Sequence, residues 1–398
     1  MSLNQYEPGV HSFDMNATYR LIGGSTSTQD NQGLGVLVYD VGGTSPSVVV
    51  NRGANVSCPE FGEAWNWAPV VWNWFNILRL SLTLAGIMGN SLVIIIHSKS
   101  QSVRGTDRLI AGLAVADLLC SVFFTPIPSA SRLSNNWLGN IYCKFVFSNV
   151  LVWIPFIASM YTLCMISLER FFAIVYPFVY RAKITPSRIK YVFIPIWVLA
   201  FSVNIGSFVV NMVHPVSCVC VVHFPNHIGK MMQGVLLFIT EYVIPIGIML
   251  FAHVRTIREL HTEARALKDN RMDSSRITLN LLQARERVLQ MLFVVVMTFI
   301  ICWTPDQLCY LFYSIGILDE DFLHSRLYMA FILLAYVNSC VNPFIYTARN
   351  PEFRHALKVL FKKAARVQQV FNTSEWVHDR TDDIMNEVGN GTVVESRV

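Results

Sequence analysis

Hydrophobic residues along this chain form seven long runs, which polar and charged stretches separate. The runs cover approximately residues 71–97, 109–131, 145–168, 190–212, 233–254, 288–315 and 327–347. Each is near or above the ~20 residues with which an α-helix crosses a bilayer. A segment in lipid must satisfy its own backbone hydrogen bonds, so each run is predicted to be a helix. The pattern therefore predicts an all-α membrane protein, with a seven-transmembrane helix bundle over residues 71–347.

Composition supports lipid as the solvent of these runs. The chain of 398 residues contains 14% charged residues and has a mean hydropathy of +0.43. An average soluble domain contains about 25% charged residues. The net charge of +5 is small, so the distribution of the charges matters more than their sum. We predict no nucleic-acid partner.

The distribution of lysine and arginine predicts the orientation in the membrane. These residues are concentrated after the first, third, fifth and seventh runs, whereas residues 1–70 contain only Arg20 and Arg52. The connection after the sixth run is acidic, with Asp319, Glu320 and Asp321. Because cytoplasmic loops carry the excess of positive charge, we predict a multi-pass plasma-membrane protein whose amino terminus is extracellular.

Residues 1–70 precede the first run and differ from it in composition. They are rich in Gly, Ser, Thr, Asn and Gln, which predicts a largely disordered segment. Asn16 and Asn55 begin acceptor triplets for N-glycosylation, which an extracellular segment would use. A disordered cytoplasmic tail is predicted at the other end of the chain, over residues 367–398.

Some polar side chains fall inside the runs, where burying them costs free energy. Asp117 lies in the middle of the second run, and Glu169 and Arg170 close the third. A buried carboxylate needs a cation or a proton, so Asp117 indicates a functional site. For the neutral groups, hydrogen bonds between helices are the alternative interpretation. These neutral groups are Asn90, Ser159, Asn338, Ser339 and Asn342.

Each run also contains a short motif. In chain order the motifs are Gly89-Asn90, Leu113-Ala114-x-Ala116-Asp117, Glu169-Arg170-Phe171, Trp197, Pro245, Phe299-x-x-Cys302-Trp303-x-Pro305 and Asn342-Pro343-x-x-Tyr346. Together they resemble the rhodopsin-like (class A) G-protein-coupled receptors, over about residues 72–363. The resemblance implies the seven-helix fold, a short cytoplasmic amphipathic helix at residues 348–366, and no enzyme activity. It also implies a heterotrimeric G protein, arrestin and receptor kinases as partners.

The resemblance assigns an activation switch to the inner part of the bundle. Glu169 would hold Arg170 in the resting state, and Arg170 would contact the G protein after activation. In the family an acid near the start of the sixth helix also holds this arginine, but the chain has Arg285 there. The second restraint is therefore in doubt. The remaining residues of the switch are Trp303, Pro305, Asn342, Pro343, Tyr346 and, where the family has a tyrosine, His253.

A sodium site is also implied by the resemblance. Asp117, Ser159, Asn338 and Asn342, together with Trp303, match the family's sodium pocket. No cofactor is required, but an allosteric sodium ion is expected to favour the inactive state. A ligand shifts a two-state equilibrium only if it binds the two states unequally.

The resemblance further implies a disulfide between Cys143 and the second extracellular loop, where both Cys218 and Cys220 are available. Arg170 follows Cys143 by 27 residues, two more than in the family. Either the third helix begins after Cys143, or a bulge near Pro155 absorbs the excess. Cys58 is a candidate partner for the remaining cysteine of the loop.

Two acids occupy positions where a ligand cavity is expected. Glu241 precedes Pro245 by four residues and Asp306 directly follows Pro305. With Gln307, Tyr310 and Tyr336 they are candidates for ligand binding. Carboxylates bind guanidinium groups strongly, so a cationic group is the expected partner of these acids. The long amino-terminal segment and the alternating, hairpin-like second loop at 216–224 fit a peptide. We therefore predict a neuropeptide ligand that contains a basic group.

Other ligands and functions fit the sequence less well. The seventh run contains no lysine, which excludes retinal chemistry, and residues 144–168 contain no acid of the usual amine-receptor kind. A small cationic amine bound by Glu241 or Asp306 is the alternative ligand. Water-bridged contacts between helices are the alternative role of the two acids. A seven-helix transporter is the rival class, but no internal repeat supports it. The ending at Val398 resembles a ligand of PDZ domains.

Overall fold

The structure of the protein is a computed structural model, which describes residues 36–39, 48–51, 65–99, 105–215, 217–269, 276–349, 351 and 353–362. Asn16, Asn55 and Cys58 lie outside the described residues, as does the tail that ends at Val398. Long helices make up most of the described chain, and the strands in it form three two-stranded antiparallel sheets.

Seven helical segments follow one another and are called the first to the seventh span. The first is Trp74–Lys99 and the second is Gly105–Phe123. The third consists of Trp137–Tyr142, a π turn at Cys143–Phe147, and Val150–Val175. The fourth consists of Pro186–Ile189, Lys190–Val192, Phe193–Val203 and Ile205–Val210. The fifth consists of His227–Phe238, a π turn at Ile239–Val243, and Ile244–Asp269. The sixth is Arg276–Ser314 and the seventh is Arg326–Arg349.

Short elements occupy the connections. Pro177–Lys183 follows the third span, and Glu320–Leu323 precedes the seventh. The strands are β1 (Val36–Tyr39), β2 (Val48–Asn51), β3 (Asn66–Ala68), β4 (Ser129–Arg132), β5 (Asn211–Val213) and β6 (Cys220–Val222). After the seventh span, residues 353–362 are helical, within the predicted range 348–366.

Six of the spans are long and apolar enough to cross a membrane. The second span is the exception because its 19 residues include Asp107, Arg108 and Asp117. It nevertheless packs between the first and third spans, as a member of the bundle does. The predicted seven-helix bundle and the all-α membrane class are confirmed.

The end of the second helix was predicted incorrectly. The hydrophobic run extends to residue 131, but the helix ends at Phe123. Pro126 and Pro128 follow, and proline cannot continue a helix because it lacks the backbone N–H and clashes with the preceding turn. The chain then forms β4, so hydrophobicity alone overestimated the length of this span.

The third span lies at the centre of the bundle. In the most apolar 18-residue stretch of the third span, 72% of the residues are buried, whereas the corresponding stretch of the fourth span has 17% of its residues buried. The third span packs against the second, fourth and fifth spans. A side chain on the third span can therefore contact several neighbours, whereas the fourth span has a mainly lipid-facing surface.

A layer of strands covers the end of the bundle that contains Cys143, called here the disulfide end. Strand β3 pairs with β4, and the rings of Trp65 and Trp67 pack against Tyr142 at 5.5 and 5.8 Å. The β5–β6 hairpin joins this layer through a Leu133 N–H to Cys218 carbonyl hydrogen bond of 2.8 Å. This layer fixes residues 65–68 on the bundle.

The prediction that residues 1–70 are largely disordered omitted the strands β1, β2 and β3. Strands β1 and β2 pair antiparallel, with Leu37 opposite Val50. Their sequences, VLVY and VVVN, are rich in β-branched residues, which favour strands. Low complexity elsewhere in the segment concealed this local signal.

The disulfide joins Cys143 to Cys220, with a Cα–Cα distance of 5.4 Å. Of the two pairings that the sequence left open, the structure therefore selects Cys220. Cys218 is also disulfide-bonded, and Cys58, the partner predicted for the remaining cysteine, lies outside the described residues.

The irregularity of the third helix lies between the two predicted positions. The helix begins at Trp137, before Cys143, and Pro155 lies in the regular segment Val150–Val175. The π turn at Cys143–Phe147 and a left-handed Asn149, with φ of 55°, separate the two regular segments. A π turn contains more residues than an α turn, so this interruption accommodates the two extra residues. The excess is therefore absorbed by a bulge, as one of the two explanations predicted, but the bulge lies at Cys143–Phe147 rather than near Pro155.

Asn149 provides a test of this break. Replacing Asn149 by glycine should preserve thermal stability, because glycine adopts the left-handed conformation without strain. Asn149→Val should lower the free energy of unfolding by about 1–2 kcal/mol or more, because the left-handed region is unfavourable for residues with a Cβ. Thermal unfolding of the purified variants measures both. Equal stability of the two variants would show that the break is absent.

Candidate functional site

A cavity of about 200 Å³ lies between the third, fourth, fifth, sixth and seventh spans, below the β5–β6 hairpin. All of the predicted ligand-binding candidates line this cavity, which we call the ligand cavity. They are Glu241, Asp306, Gln307, Tyr310 and Tyr336. Trp303 lines it as well. Residues separated by up to 95 positions in the sequence therefore share one cavity.

The position of Glu241 depends on the π turn of the fifth span. Glu241 lies in the turn Ile239–Val243, and a π turn changes which side chains face the bundle. The carbonyl of Thr240 accepts a hydrogen bond of 2.7 Å from the Tyr161 hydroxyl. The Tyr242 hydroxyl shares a hydrogen bond of 2.6 Å with Thr304 of the sixth span. Both hydrogen bonds fix the π turn to neighbouring spans. The turn could not be predicted from the sequence, because a hydrophobic pattern predicts only regular helix.

The two acids of the cavity are buried, with exposed fractions of 8% for Glu241 and 3% for Asp306. Gln307 Nε2 donates a hydrogen bond of 3.4 Å to Glu241. Asp306 Oδ1 has no hydrogen-bond partner within the described part of the chain. Neither acid forms a salt bridge with a described lysine, arginine or histidine. Two neighbouring buried carboxylates therefore lack a cation, and a buried charge without one is unfavourable.

Trp303 forms the floor of the ligand cavity. Its ring packs edge-on against Phe156 at 4.2 Å and lies 6.0 Å from Phe299. Met160 and Phe299 are almost completely buried below it. Cys164 Sγ contacts the carbonyl of Pro245 at 3.7 Å. The floor is thus tightly packed and connects the third, fifth and sixth spans.

Below this floor, Asp117 is the centre of a polar cluster and is completely buried. It accepts hydrogen bonds from Ser159 Oγ at 2.6 Å and from Asn342 Nδ2 at 2.9 Å. Buried oxygens of Asn338, Ser339 and Asn342 have no hydrogen-bond partner in the described chain. Of the predicted sodium residues, Ser159 of the third span and Asn342 of the seventh thus contact Asp117 of the second, and Asn338 is buried on the seventh span. Carboxylate, hydroxyl and amide oxygens suit a hard cation.

At the other end of the bundle, called the Arg170 end, Glu169 binds Arg170. Arg170 Nε lies 2.8 Å from Glu169 Oε2, and Nη2 lies 3.4 Å from Oε1. Thr106 Oγ1 and the Tyr180 hydroxyl also donate to this carboxylate, at 2.9 and 2.6 Å. Burial and the adjacent Glu169 carboxylate raise the pKa of Tyr180, so its hydroxyl remains a donor at neutral pH. The sequence motif did not indicate Thr106 or Tyr180, which lie outside it.

Two departures from the family pattern have structural explanations. Arg285 Nη1 of the sixth span forms a salt bridge of 2.9 Å with Glu263 of the fifth span, and both side chains are exposed. An exposed pair of this kind contributes little stability. His253 is buried, and its ring stacks on Phe293 with centroids 5.4 Å apart. Its Nε2 has no partner among the described residues.

The last predicted residue of the switch, Tyr346, lies near the end of the seventh span. Its ring centroid lies 6.1 Å from that of Phe353. Arg354 Nη1 donates a hydrogen bond of 2.9 Å to the carbonyl of Ala348. These contacts connect the end of the seventh span to the short helix that follows it.

Known proteins resemble the chain along most of its length. Residues 89–346 match the family described as 7 transmembrane receptor (rhodopsin family). Galanin receptor 2b of Danio rerio is 32% identical over 310 residues, which are 74% of this chain and 78% of that protein. Galanin receptor 2a of the same species is 29% identical over 311 residues, 77% of this chain and 82% of that protein. The allatostatin-A receptor of Bombyx mori is 28% identical over 283 residues, 69% of this chain and 76% of that protein.

The contacts of Glu169 predict the effect of removing its charge. Glu169→Gln should raise ligand-independent nucleotide exchange on a heterotrimeric G protein by about tenfold or more, since ~1.4 kcal/mol corresponds to a factor of ten. The reason is that a hydrogen bond to a charged group contributes ~1.5–3 kcal/mol. Tyr180→Phe should have a smaller effect in the same direction, because Thr106 and Arg170 still bind the carboxylate. Exchange of labelled GTP on purified G protein measures this.

Tyr176→Phe is the matched control, since it removes a more exposed hydroxyl from the same region. It should leave basal exchange unchanged. If Glu169→Gln is folded and its basal exchange equals that of the wild type, the Glu169–Arg170 pair does not restrain the resting receptor.

Proposed function

The chain belongs to the rhodopsin family of seven-transmembrane receptors, and from this we propose that it binds an extracellular neuropeptide and activates heterotrimeric G proteins. Relatives named as receptors for galanin and allatostatin-A support a peptide ligand. A RYamide receptor of Drosophila melanogaster, 28% identical, and a neuropeptide Y receptor of Mus musculus, 26% identical, support it further. The family is one of receptors rather than enzymes.

In this proposal the disulfide end faces the outside of the cell and the Arg170 end faces the cytoplasm. Disulfides persist in oxidising compartments, and the Cys143–Cys220 bond lies at the first of these ends. Lysine and arginine are concentrated in the connections at the Arg170 end, as the positive-inside rule requires of the cytoplasmic side. The ligand cavity then faces the outside, and Arg170 faces the G protein.

The observation that carries the ligand class is the pair of buried acids that pair with no cation among the described residues. A guanidinium or ammonium group of the peptide would lie between Glu241 and Asp306, where it supplies the missing charge. Hydrogen bonds between charged groups are about twice as strong as neutral ones. Because Asp306 lies three positions after Trp303 on the sixth span, a ligand at this acid is close to the floor of the cavity.

A small cationic amine is the second candidate, because the same two acids would bind its ammonium group. The two ligand classes differ in size. A peptide would extend from the acids to the β5–β6 hairpin, whose Val222 also lines the cavity. An amine would be confined to the lower part.

The peptide assignment predicts a loss of response when the acids are neutralised. Cells that express the receptor with a promiscuous G protein should respond to at least one peptide of a panel containing galanin, allatostatin-A, RYamide, neuropeptide Y and basic amidated peptides. The combined Glu241→Gln and Asp306→Asn variant should reduce potency by at least about tenfold, which corresponds to 1.4 kcal/mol. Ligand-stimulated nucleotide exchange measures the potency.

Asp319→Asn is the control for this experiment, because it removes one acid at the same end outside the ligand cavity. Its potency should equal that of the wild type. An undiminished response of the double variant would contradict the assignment of the two acids. A response to amines and to no peptide would favour the second candidate.

We also propose that the cluster around Asp117 binds sodium. Asp117 supplies the charge, and Ser159, Asn338, Ser339 and Asn342 supply neutral oxygens. When bound, the ion would compensate the buried carboxylate and connect the second, third and seventh spans. It would thereby stabilise the packing of the resting bundle.

Sodium binding predicts ion-specific stabilisation. Replacing potassium chloride by sodium chloride at constant ionic strength should raise the unfolding temperature of the ligand-free receptor, on the order of 2–4 °C for each kcal/mol of binding. Asp117→Asn should abolish the difference between the two salts. Asp107→Asn, which changes an acid in the first turn of the same span, should retain the difference between the two salts. Equal unfolding temperatures of the wild type in the two salts would contradict the proposal.

A further inference from the structure

Arg79 is a buried arginine in the first span, with an exposed fraction of 9%. Its Nε donates a hydrogen bond of 2.6 Å to the carbonyl of Phe124, and Nη2 lies 3.5 Å from the carbonyl of Thr125. These carbonyls follow the end of the second span, where the helix dipole attracts a positive charge. The guanidinium carbon lies 4.7 Å from the centroid of the Phe124 ring. Arg79 thus connects the first span to the end of the second.

These contacts do not neutralise Arg79. Carbonyls and an aromatic ring are neutral, and no described carboxylate forms an ion pair with this guanidinium. Its Nη1 has no hydrogen-bond partner among the described residues. Arginine remains protonated in proteins, and a charge at membrane depth is normally paired. The environment of Arg79 therefore lacks an anion.

A second cavity, of about 160 Å³, adjoins the guanidinium. Apart from Arg79, its lining is mostly apolar and includes Phe75, Phe123, Ile127 and Phe145. Three of these side chains are also partly exposed: Phe123 at 41%, Ile127 at 56% and Phe145 at 37%. Apolar side chains that a membrane-spanning bundle leaves exposed are stable against lipid rather than water, so we expect acyl chains next to this cavity, which is called the Arg79 cavity.

The depth of Arg79 corresponds to the region of lipid head groups. Trp72 and Trp74 are 60% and 40% exposed at the start of the first span. Tryptophan is enriched at the membrane interface. Arg79 lies five residues after Trp74, which is about 7.5 Å along a helix. A lipid phosphate at the interface is within reach of an arginine side chain at this depth.

We propose that the Arg79 cavity binds the phosphate of a membrane phospholipid, with the guanidinium as its counter-ion and the apolar lining against the acyl chain. Arginine binds phosphate through two parallel N–H groups, and Nη1 is available for this interaction. Assigning the lipid to the outer leaflet rests on the proposed orientation, whereas the phosphate pairing does not. The Arg79 cavity shares Asn149 and Val152 with the ligand cavity, so the bound lipid lies next to the break in the third span.

The pairing is tested with lipids that share an oleoyl chain. The full-length receptor is purified in detergent, depleted of lipid and titrated with single-chain (lyso) phosphatidylglycerol, oleate or monoolein, each with one oleoyl chain, and bound lipid is counted by native mass spectrometry. The wild type should retain phosphatidylglycerol with an affinity at least about tenfold above that for neutral monoolein. Oleate should be intermediate, because its carboxylate is a smaller anion. Equal retention of phosphatidylglycerol and monoolein would overturn the proposal without any variant.

Substitutions identify the residue responsible. Arg79→Gln should remove the preference for phosphatidylglycerol, and Arg79→Lys should retain part of it, since lysine keeps the charge without the planar geometry. Arg326→Gln, which removes an exposed charge at the same end, should behave as the wild type. A folded Arg79→Gln receptor with the wild-type preference would overturn the proposal.

A soluble anion is distinguished from a lipid by competition. Inorganic phosphate in large excess should not displace phosphatidylglycerol, because it lacks the acyl chain that the apolar lining binds. Displacement by inorganic phosphate alone would assign the cavity to a free anion and overturn the lipid assignment. These measurements do not depend on the peptide ligand or on G-protein coupling.

Discussion

The cost of holding a charge away from water determines the organisation of this bundle. Each ionisable group that lies at membrane depth must obtain a partner from another span, from an ion or from a ligand. The Glu169 carboxylate accepts hydrogen bonds from Arg170, Thr106 and Tyr180. The Asp117 carboxylate accepts hydrogen bonds from Ser159 and Asn342. The bonds from Thr106, Ser159 and Asn342 connect spans that are distant in sequence, so the requirement for partners also fixes how these spans pack.

We assign ligands to the groups whose charge no described residue neutralises. Asp117 is one of them, because Ser159 and Asn342 are neutral donors, and its proposed ligand is sodium. Glu241 and Asp306 lack a cation, and Arg79 lacks an anion. The acids lie in the ligand cavity and Arg79 lines a cavity that borders the lipid. The sign of the missing charge and the surroundings of each cavity together indicate a basic ligand for the first and a phospholipid for the second.

Much of this arrangement could be predicted from the sequence, because hydrophobic runs and one motif in each run are local signals. The seven spans, the cluster around Asp117 and the Glu169–Arg170 pair follow from them. The π turns at Cys143–Phe147 and Ile239–Val243 could not be predicted, because they depend on contacts between spans. The choice of Cys220 over Cys218 depends on the register of the β5–β6 hairpin. Tyr180 and Arg79 have no motif, since their roles arise only from what they contact.

The central claim is that the buried acids bind a basic group of the peptide. Swapping the two charges between receptor and ligand by substitution is its most direct test. The basic residue of an active peptide is replaced by glutamate, and Asp306 is replaced by lysine. Nucleotide exchange on a purified G protein is then measured for all four combinations of receptor and peptide. We expect each single change to abolish activation and the two changes together to restore it. If the glutamate peptide activates the wild type as well as the original peptide does, the account of the ligand cavity is wrong. It is equally wrong if the folded Asp306→Lys receptor prefers the original peptide.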